Sequence, residues 1–316
     1  MCVICGCSDD AVVTITNAGS GAGAKTSNLK RDPGHSHSHA HGDGHDHGHG
    51  HDHEHHHEHH HEHGHPHEHE HEHGHAAGDT HSHAAAASHR HGATVSLEQS
   101  VMAKNDAGAA RNRRWLEARG ILALNLVSAP GSGKTTLLER TLLDLKAELG
   151  LAVIEGDQET LNDAERIRAT GCPAVQINTG AGCHLDADMV AGGLESLAPA
   201  NGSVVMIENV GNLVCPALFD LGEKARVAVL SVTEGDDKPL KYPYMFRSSQ
   251  LMLLNKIDLL PHVRFSVERC IEHARRVNPA ILVMAVSATT GEGMASWYDW
   301  LHAHATASRQ LARLLA

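Results

Sequence analysis

The sequence predicts an α/β fold, a parallel sheet with helices on both faces, preceded by a disordered histidine-rich N-terminal region. Three observations carry this reading. Short, continuous apolar runs alternate with helical segments from Ile121 onward, the pattern of strands buried on both faces. A glycine-rich turn joins the first of those strands to its helix. Of the 31 histidines, 26 lie between His35 and His91, and no aromatic residue precedes Trp115. A stretch so poor in large apolar side chains cannot offset the entropy cost of ordering.

The chain therefore divides into a cysteine-rich head (1–10), a disordered linker (11–34), a histidine-rich tract (35–92) and a folded domain (93–316). Residues 35–91 hold ten acids and one arginine, which accounts for −9 of the formal charge of −12. Residues 1–34 are balanced, three acids against three bases, so the folded part carries only −3. No run approaches 18 apolar residues, which argues against a membrane span. Met1 to Asp10 lacks a basic n-region, which argues against a secretory signal. The one dense charge tract is acidic, which argues against nucleic acid as partner. Seven cysteines, three of them Cys2, Cys5 and Cys7, suit a metal or redox set in a reducing compartment, so the cytoplasm is expected.

Thr94 or Ser96 offers an N-cap for a helix over Val95–Gly120, whose Arg111, Arg113 and Arg114 read as a solvated face. The strand Ile121–Val127 follows, then a helix over Lys134–Leu149. Strands at Leu151–Ile154 and Ala174–Ile177 each precede a helix, around Asn162–Ala169 and Leu185–Leu197. Further strands fall at Val204–Ile207, Val227–Val232 and Leu251–Leu254. A helix over Phe265–Val277, a strand over Ile281–Val286 and a helix containing Trp297, Trp300 and Leu311 close the chain. In such sheets ligands bind at the carboxyl ends of the strands, and the motifs fall there.

Ser128-Ala-Pro-Gly-Ser-Gly-Lys-Thr-Thr136 is a phosphate loop, with Ser128 where the strict pattern has Gly. Gly131, Ser132 and Gly133 let backbone N–H groups turn inward around phosphate oxygens, and the helix N-terminus adds its positive end. Lys134 reaches the outer phosphates; Thr135, followed by Thr136, holds Mg²⁺. Asn255-Lys256-Ile257-Asp258 ends a later strand. The Asp258 carboxylate pairs with the two adjacent donors of guanine, which adenine lacks, and Ser287-Ala288 adds a backbone donor for the guanine oxygen. GTP and GDP are thus expected over the adenine nucleotides. Asp157, after the second strand, can orient water or hold Mg²⁺. Glu208 and Gly211, in Glu-Asn-Val-Gly, can hold Mg²⁺ and touch the γ-phosphate. The expected catalytic set is Lys134, Asp157 and Glu208.

Cys183-His184 sits on a glycine-rich loop and Cys215 lies four residues beyond Gly211. Thiolate and imidazole suit Ni²⁺ or Zn²⁺, and three ligands leave room for a water or a second chain. Because Cys215 follows a nucleotide-sensing loop, hydrolysis is expected to move it relative to Cys183 and His184, and the coupling must be reciprocal. Cys172 and Cys270 read as core residues. Cys2, Cys5 and Cys7, with the terminal amine, make a compact S/N set favouring Ni²⁺. The alternation of His with Gly, Asp and Glu keeps imidazoles apart and neutral near pH 7; at three to four per ion the tract holds roughly seven to nine ions.

Together the C-x-x-C-G-C head, Ala103-Lys-Asn-Asp106, Asn112-Arg-Arg-Trp115, the phosphate loop, Gly156-Asp-Gln-Glu-Thr160, Gly182-Cys-His-Leu-Asp186, Glu208-Asn-Val-Gly-Asn-Leu-Val-Cys-Pro216 and Asn255-Lys-Ile-Asp258 resemble the HypB family. These are GTPases of the SIMIBI phosphate-loop class that serve nickel–iron hydrogenase maturation. The resemblance implies a GTP-hydrolysing, dimer-forming nickel metallochaperone that delivers Ni²⁺ to the hydrogenase large subunit precursor with a HypA-like metallochaperone as partner. It implies nickel storage by the histidine tract, a Ni²⁺/Zn²⁺ site at Cys183, His184 and Cys215, and a tight nickel site at Cys2, Cys5 and Cys7. Rival readings are a urease-type GTPase, a zinc-chaperone GTPase and a mainly nickel-storing protein. The head and the Cys-His-Leu-Asp stretch disfavour the first, the lack of a C-x-C-C cluster the second, and intact Lys134, Thr135 and Asp258 the third.

Overall fold

In a computed structural model of the chain, residues 13–17, 25–29, 85–157, 162–180 and 182–316 are described. The cysteine head and the histidine tract up to residue 84 lie outside them. One compact unit joins Met1–Lys30 to Arg90–Ala316; the segment Arg31–His89 is a second unit.

The elements are β1 (Val13–Asn17), β2 (Lys25–Leu29), α1 (Ala85–Ala118), β3 (Leu122–Ser128), α2 (Lys134–Leu145), β4 (Leu151–Asp157), α3 (Asn162–Ala169) and β5 (Ala174–Asn178). They continue as α4 (Ala187–Leu197), β6 (Val204–Glu208), α5 (Cys215–Leu218), β7 (Ala225–Ser231), α6 (Lys238–Lys241) and α7 (Pro243–Arg247). The rest are β8 (Leu251–Asn255), a 3-10 helix (Ile257–His262), α8 (Val267–Val277), β9 (Leu282–Ala285) and α9 (Met294–Leu315).

The sheet runs β2-β1-β5-β4-β6-β3-β7-β8-β9. From β5 to β9 every pairing is parallel. The chain leaves β3 to one side for β4, β5 and β6 and crosses to the other for β7, β8 and β9. That reversal opens a crevice at the carboxyl end of β3, where a ligand fits. Alternate residues serve opposite faces. Leu122, Leu124 and Leu126 pack with Leu138 and Leu142 of α2 and Trp297 and Leu301 of α9. Ala123 packs on the other face with Leu116 of α1 and Val190 and Leu194 of α4. A third cluster on that face joins Val127, Met252 and Leu254 to Phe246 of α7 and Cys270 of α8. The parallel sheet covered on both faces is as expected.

Two expectations need correction. Residues 11–34 do not read through as linker: β1 and β2 form an antiparallel hairpin, and β1 adds antiparallel to β5. Val13-Thr-Ile-Thr16 alternates β-branched residues, and Ile15, 1 % exposed, packs in the α1–α4 cluster. Four successive β-branched residues suit a strand, and the pairing covers the otherwise open edge of β5. Helix α1 begins at Ala85, not at a cap at Thr94 or Ser96. The alanines at its start are the strongest helix formers and carry the helix through Gly92 at a cost of about 1 kcal/mol. The boundary placed at 92/93 therefore falls inside a helix. Among the described residues no helix is long and apolar enough to cross a membrane.

Candidate functional site

The phosphate loop bridges the end of β3 and the start of α2. Gly131 and Gly133 adopt φ of 75° and 92°, a region costly to any residue with a side chain. A Cβ on Gly133 would also lie 2.7 Å from Asn255 Nδ2. Lys134 Nζ donates to Ser128 Oγ at 3.0 Å. Ser128 thus supplies an acceptor that Gly, the residue of the strict pattern, lacks. Thr135 Oγ1 donates to Glu208 Oε1 at 2.8 Å. Glu208 is buried, and burial pushes its carboxyl above the usual carboxylate range, against the pull of Lys134 and Thr135. Its Oε2 and the Ser132 hydroxyl are buried without a hydrogen-bond partner among the described residues.

The cleft around these groups has an empty volume of about 950 Å³, ample for a nucleotide's phosphates. Residues 130–136 line it with Glu155, Gly156, Asp163, Arg166, Glu208, Asn209, Gly211 and Lys256. A Cβ on Gly211 would stand 3.2 Å from Pro130 Cα, so the Glu208–Gly211 loop lies directly against the phosphate loop. The side chain of Asp157 and residues 158–161 lie outside the described residues.

Asn255 and Lys256 brace the phosphate loop instead of standing apart from it. Asn255 Nδ2 donates to the Ser132 carbonyl at 3.1 Å and its Oδ1 accepts from Ala288 N at 3.2 Å. Lys256, in the left-handed region with φ of 64°, donates through Nζ to the Gly131 carbonyl at 2.7 Å. Asp258 stands on the 3-10 helix and accepts from the Ser287 hydroxyl. The structure thus gathers Gly131–Thr136, Glu208, Gly211, Asn255–Asp258, Ser287 and Ala288 at one end of the sheet.

Cys183 and His184 lie between β5 and α4, and Cys215 opens α5. Their ligand atoms all lie within 4.8 Å of one another. Ligands of a tetrahedral metal with bonds of about 2.0–2.3 Å stand roughly 3.3–3.8 Å apart, so a contraction of about an ångström completes the set. Cys183 Sγ and His184 Nδ1 are 3.7 Å apart, and the His184 ring stacks on Phe219 at 4.0 Å. The donor set of two sulfurs and one imidazole, mostly buried, fits Zn²⁺ or Ni²⁺. Cys270 is buried in the core and its thiol is pushed up to about 12 by burial, consistent with a packing role; Cys172 is half-buried against the core.

Contacts made by six side chains escaped the sequence reading. Asn209 Oδ1 accepts from Leu185 N at 3.2 Å, tying the loop after Glu208 to the residue after His184. Asn105 of α1 accepts from Ala187 N at 3.0 Å and donates to the Asp220 carbonyl at 2.8 Å. Asn112 donates to the Ala187 and Leu221 carbonyls at 2.8 and 3.0 Å. Arg113, expected as part of a solvated face, donates to both Asp220 oxygens at 2.7 Å, and Arg111 pairs with Asp188 at 3.0 Å. Helix α1 thus clamps the segment after Cys183 and His184 to the segment after Cys215. The Ala103–Asp106 and Asn112–Trp115 stretches were visible; their partners, some 75–115 residues away, were not. Arg166 of α3 donates to Thr136 Oγ1 at 3.1 Å and Glu139 at 2.6 Å at the cleft's rim.

Comparison with known proteins agrees with this architecture. Residues 122–285 match the family described as CobW/HypB/UreG, nucleotide-binding domain. The chain is 61 % identical over 211 residues to hydrogenase maturation factor HypB of Rhizobium leguminosarum bv. viciae, covering 67 % of this chain and 71 % of that one. It is 61 % identical over 207 residues to the Escherichia coli K12 HypB, covering 66 % and 71 %. The crystal structure of Helicobacter pylori HypB in complex with nickel is similar at TM-score 0.61 and 36 % identity, covering 65 % of this chain and 97 % of that one. Archaeoglobus fulgidus HypB gives TM-score 0.61 at 40 % identity, covering 64 % and 99 %. The chain belongs to the HypB family of hydrogenase maturation factors, within the CobW/HypB/UreG nucleotide-binding proteins.

Proposed function

We propose that the chain is a GTP-hydrolysing nickel metallochaperone that stores Ni²⁺ and delivers it to the hydrogenase large subunit precursor. The observation that carries this reading is the proximity of two chemistries. A phosphate cleft ends at Glu208, and the next residue, Asn209, is bonded to the loop holding Cys183 and His184. Nickel in the related H. pylori structure supports Ni²⁺ as cargo here.

In this reading the backbone N–H groups of residues 131–136 and Lys134 hold the phosphates, and Lys134 exchanges Ser128 Oγ for phosphate oxygen. Asp258, with Ser287 and Ala288 beside it, selects guanine. Asp157 orients the attacking water, and the Gly211 N–H meets the γ-phosphate. Thr135 and Glu208 would hold Mg²⁺, with Asp157 as a further candidate. The buried, unpartnered Glu208 Oε2 fits a cation, which when bound neutralises developing phosphate charge. Cys183, His184 and Cys215 carry Ni²⁺ or Zn²⁺, and Cys2, Cys5, Cys7 and the histidine tract hold further Ni²⁺. A dimer, a HypA-like metallochaperone and the hydrogenase precursor are the expected partners, and the cytoplasm the expected place.

Turnover of GTP and ATP by the purified chain and its Lys134→Ala variant tests the enzymatic half. The expected result is hydrolysis of GTP alone, lost in the variant with nickel still bound by the histidine tract. Equal turnover by the variant would refute the phosphate-loop assignment.

A further inference from the structure

We propose that Arg166 is a catalytic residue of GTP hydrolysis, an arginine that leaves Glu139 for the phosphate chain and stabilises the charge developing on the departing GDP. This rests on the phosphate-cleft reading given under the proposed function and adds to it a residue outside the cleft's motifs. The position of the guanidinium is the carrying observation. Arg166, on α3, lines the cleft. Its Nη2 donates to Thr136 Oγ1 at 3.1 Å and to Glu139 Oε2 at 2.6 Å, and its Nη1 to Asp163 Oδ1 at 3.4 Å. Thr136 belongs to the phosphate loop. A phosphate oxygen on the Thr136 N–H, about 2.9 Å away, stands beside a guanidinium already bonded to that residue's hydroxyl.

The charges around the cleft give this guanidinium a task. The described residues lining it include three acids, Glu155, Asp163 and Glu208, and three cations, Lys134, Arg166 and Lys256. That balance leaves no net positive charge to meet a nucleoside triphosphate. Lys256 is held on the Gly131 carbonyl at 2.7 Å. Lys134 and Arg166 are left to face the phosphates. Burial is the largest influence on Glu208 and pushes its carboxyl up, while the charges of Lys134 and Arg166 pull it down. The field of Arg166 therefore reaches the carboxylate read above as a Mg²⁺ ligand.

The resting contacts are easily exchanged. The side chains of Arg166 and Glu139 are 41 % and 33 % exposed, and an ion pair in that setting contributes little. Phosphate oxygens offer a guanidinium two parallel, charge-assisted bonds, so a bound nucleotide outcompetes Glu139. In the transfer a water oxygen bonds the γ-phosphorus as the bond from that phosphorus to the β–γ bridging oxygen breaks. The electron pair leaves on the bridging oxygen with GDP, and the water's protons pass to the phosphate and to solvent. Arg166 donates hydrogen bonds to the oxygens that gain this charge and exchanges no proton.

The test compares the full chain with Arg166→Ala and Glu139→Gln. It measures GTP turnover, and binding of GDP with and without aluminium fluoride, which completes a mimic of the transferring group. Arg166→Ala should lower kcat about 100-fold. It should weaken binding of GDP with aluminium fluoride at least about tenfold more than binding of GDP alone. Glu139→Gln frees the guanidinium and should leave kcat/KM at or above the parent value. An Arg166 that only joined α3 to α2 would make the two variants lose activity alike. A fall in kcat of less than about tenfold in Arg166→Ala, equal weakening of GDP with and without aluminium fluoride, or a loss in Glu139→Gln matching that in Arg166→Ala would overturn the proposal. A parent chain that neither binds GDP nor hydrolyses GTP would instead refute the phosphate-cleft reading, and the proposal with it.

Discussion

Asn209 Oδ1 accepts the backbone N–H of Leu185 at 3.2 Å, and Asn209 is the neighbour of Glu208 while Leu185 is the neighbour of His184. The same side chain accepts from Val210 N and donates to Asn125 Oδ1. A shift of the loop at the nucleotide's outer phosphate must therefore either carry the Cys183–His184 loop with it or break this bond. A bond of this kind links the two loops physically, as coupling between two sites requires.

Asn209→Ala should uncouple the sites. Removing the Asn209 amide takes the partner from Leu185 N and from Asn125 Oδ1, a cost of about 1–3 kcal/mol in stability. The dependence of Ni²⁺ affinity on GTP against GDP should shrink to under about twofold, where coupled sites typically show roughly 5–150-fold. Nickel titration with each nucleotide measures it.

Glu208→Gln should separate stability from catalysis. The buried carboxylate, with one oxygen unpartnered, costs folding free energy in the nucleotide-free chain. A neutral amide of the same shape keeps the Thr135 contact and should raise the nucleotide-free melting temperature by roughly 2–4 °C, about 1 kcal/mol for a domain of this size. GTP turnover should fall at least about 100-fold, as when a charge-stabilising group is removed. Calorimetry and a phosphate-release assay read the two effects.

Asp258→Asn should invert base preference. An amide presents a donor where the carboxylate presented an acceptor, so it suits xanthine, whose second carbonyl replaces guanine's amino group. A change of about 100-fold or more in the ratio of kcat/KM for GTP to that for xanthosine triphosphate is expected. An unchanged ratio would place base recognition elsewhere.

The Arg113–Asp220 pair should make the α1 clamp acid-sensitive. Burial pushes the Asp220 carboxyl up, but Arg113 and the Gly222 N–H outweigh it and hold it below the ordinary value of 3.8. A depressed carboxylate pKa stabilises the fold above the unfolded value, and that stabilisation is lost as pH falls through the folded value. The clamp should thus weaken only below about pH 4. The pair is more than a third exposed, so Arg113→Ala should cost only about 0.5–1 kcal/mol. Melting curves of wild type and Arg113→Ala between pH 3 and 7 should converge at the acid end.

The parallel strands were legible because each is a mainly apolar run between glycine or polar breaks; Asn162–Ala169 even matches to the residue. The motif residues were legible because their spacing is dictated by phosphate and base chemistry. Three kinds of feature were not. Ile15 stands in a short β-branched run within a stretch rich in Gly, Ser and Thr, and its pairing depends on the open edge of β5. The short helices α5, α6 and α7, of four to five residues, are too brief to show a helical period. Asn105, Asn112 and Asn209 act on backbone atoms, whose positions leave no mark on the sequence. Asn255 and Lys256 were read for the base, and their bonds to the Ser132 and Gly131 carbonyls depend on the fold bringing residues 123 and 125 positions apart together.

The measurement closest to the central claim is a competitive Ni²⁺/Zn²⁺ titration of the full chain, with GDP and again with a non-hydrolysable GTP analogue, against Cys215→Ala. The variant subtracts the head and the histidine tract, which both chains share. One site should be lost in Cys215→Ala, and its Ni²⁺ affinity in the parent chain should differ at least about fivefold between the two nucleotides. Equal affinity in both nucleotide states, or no site lost in the variant, would contradict it.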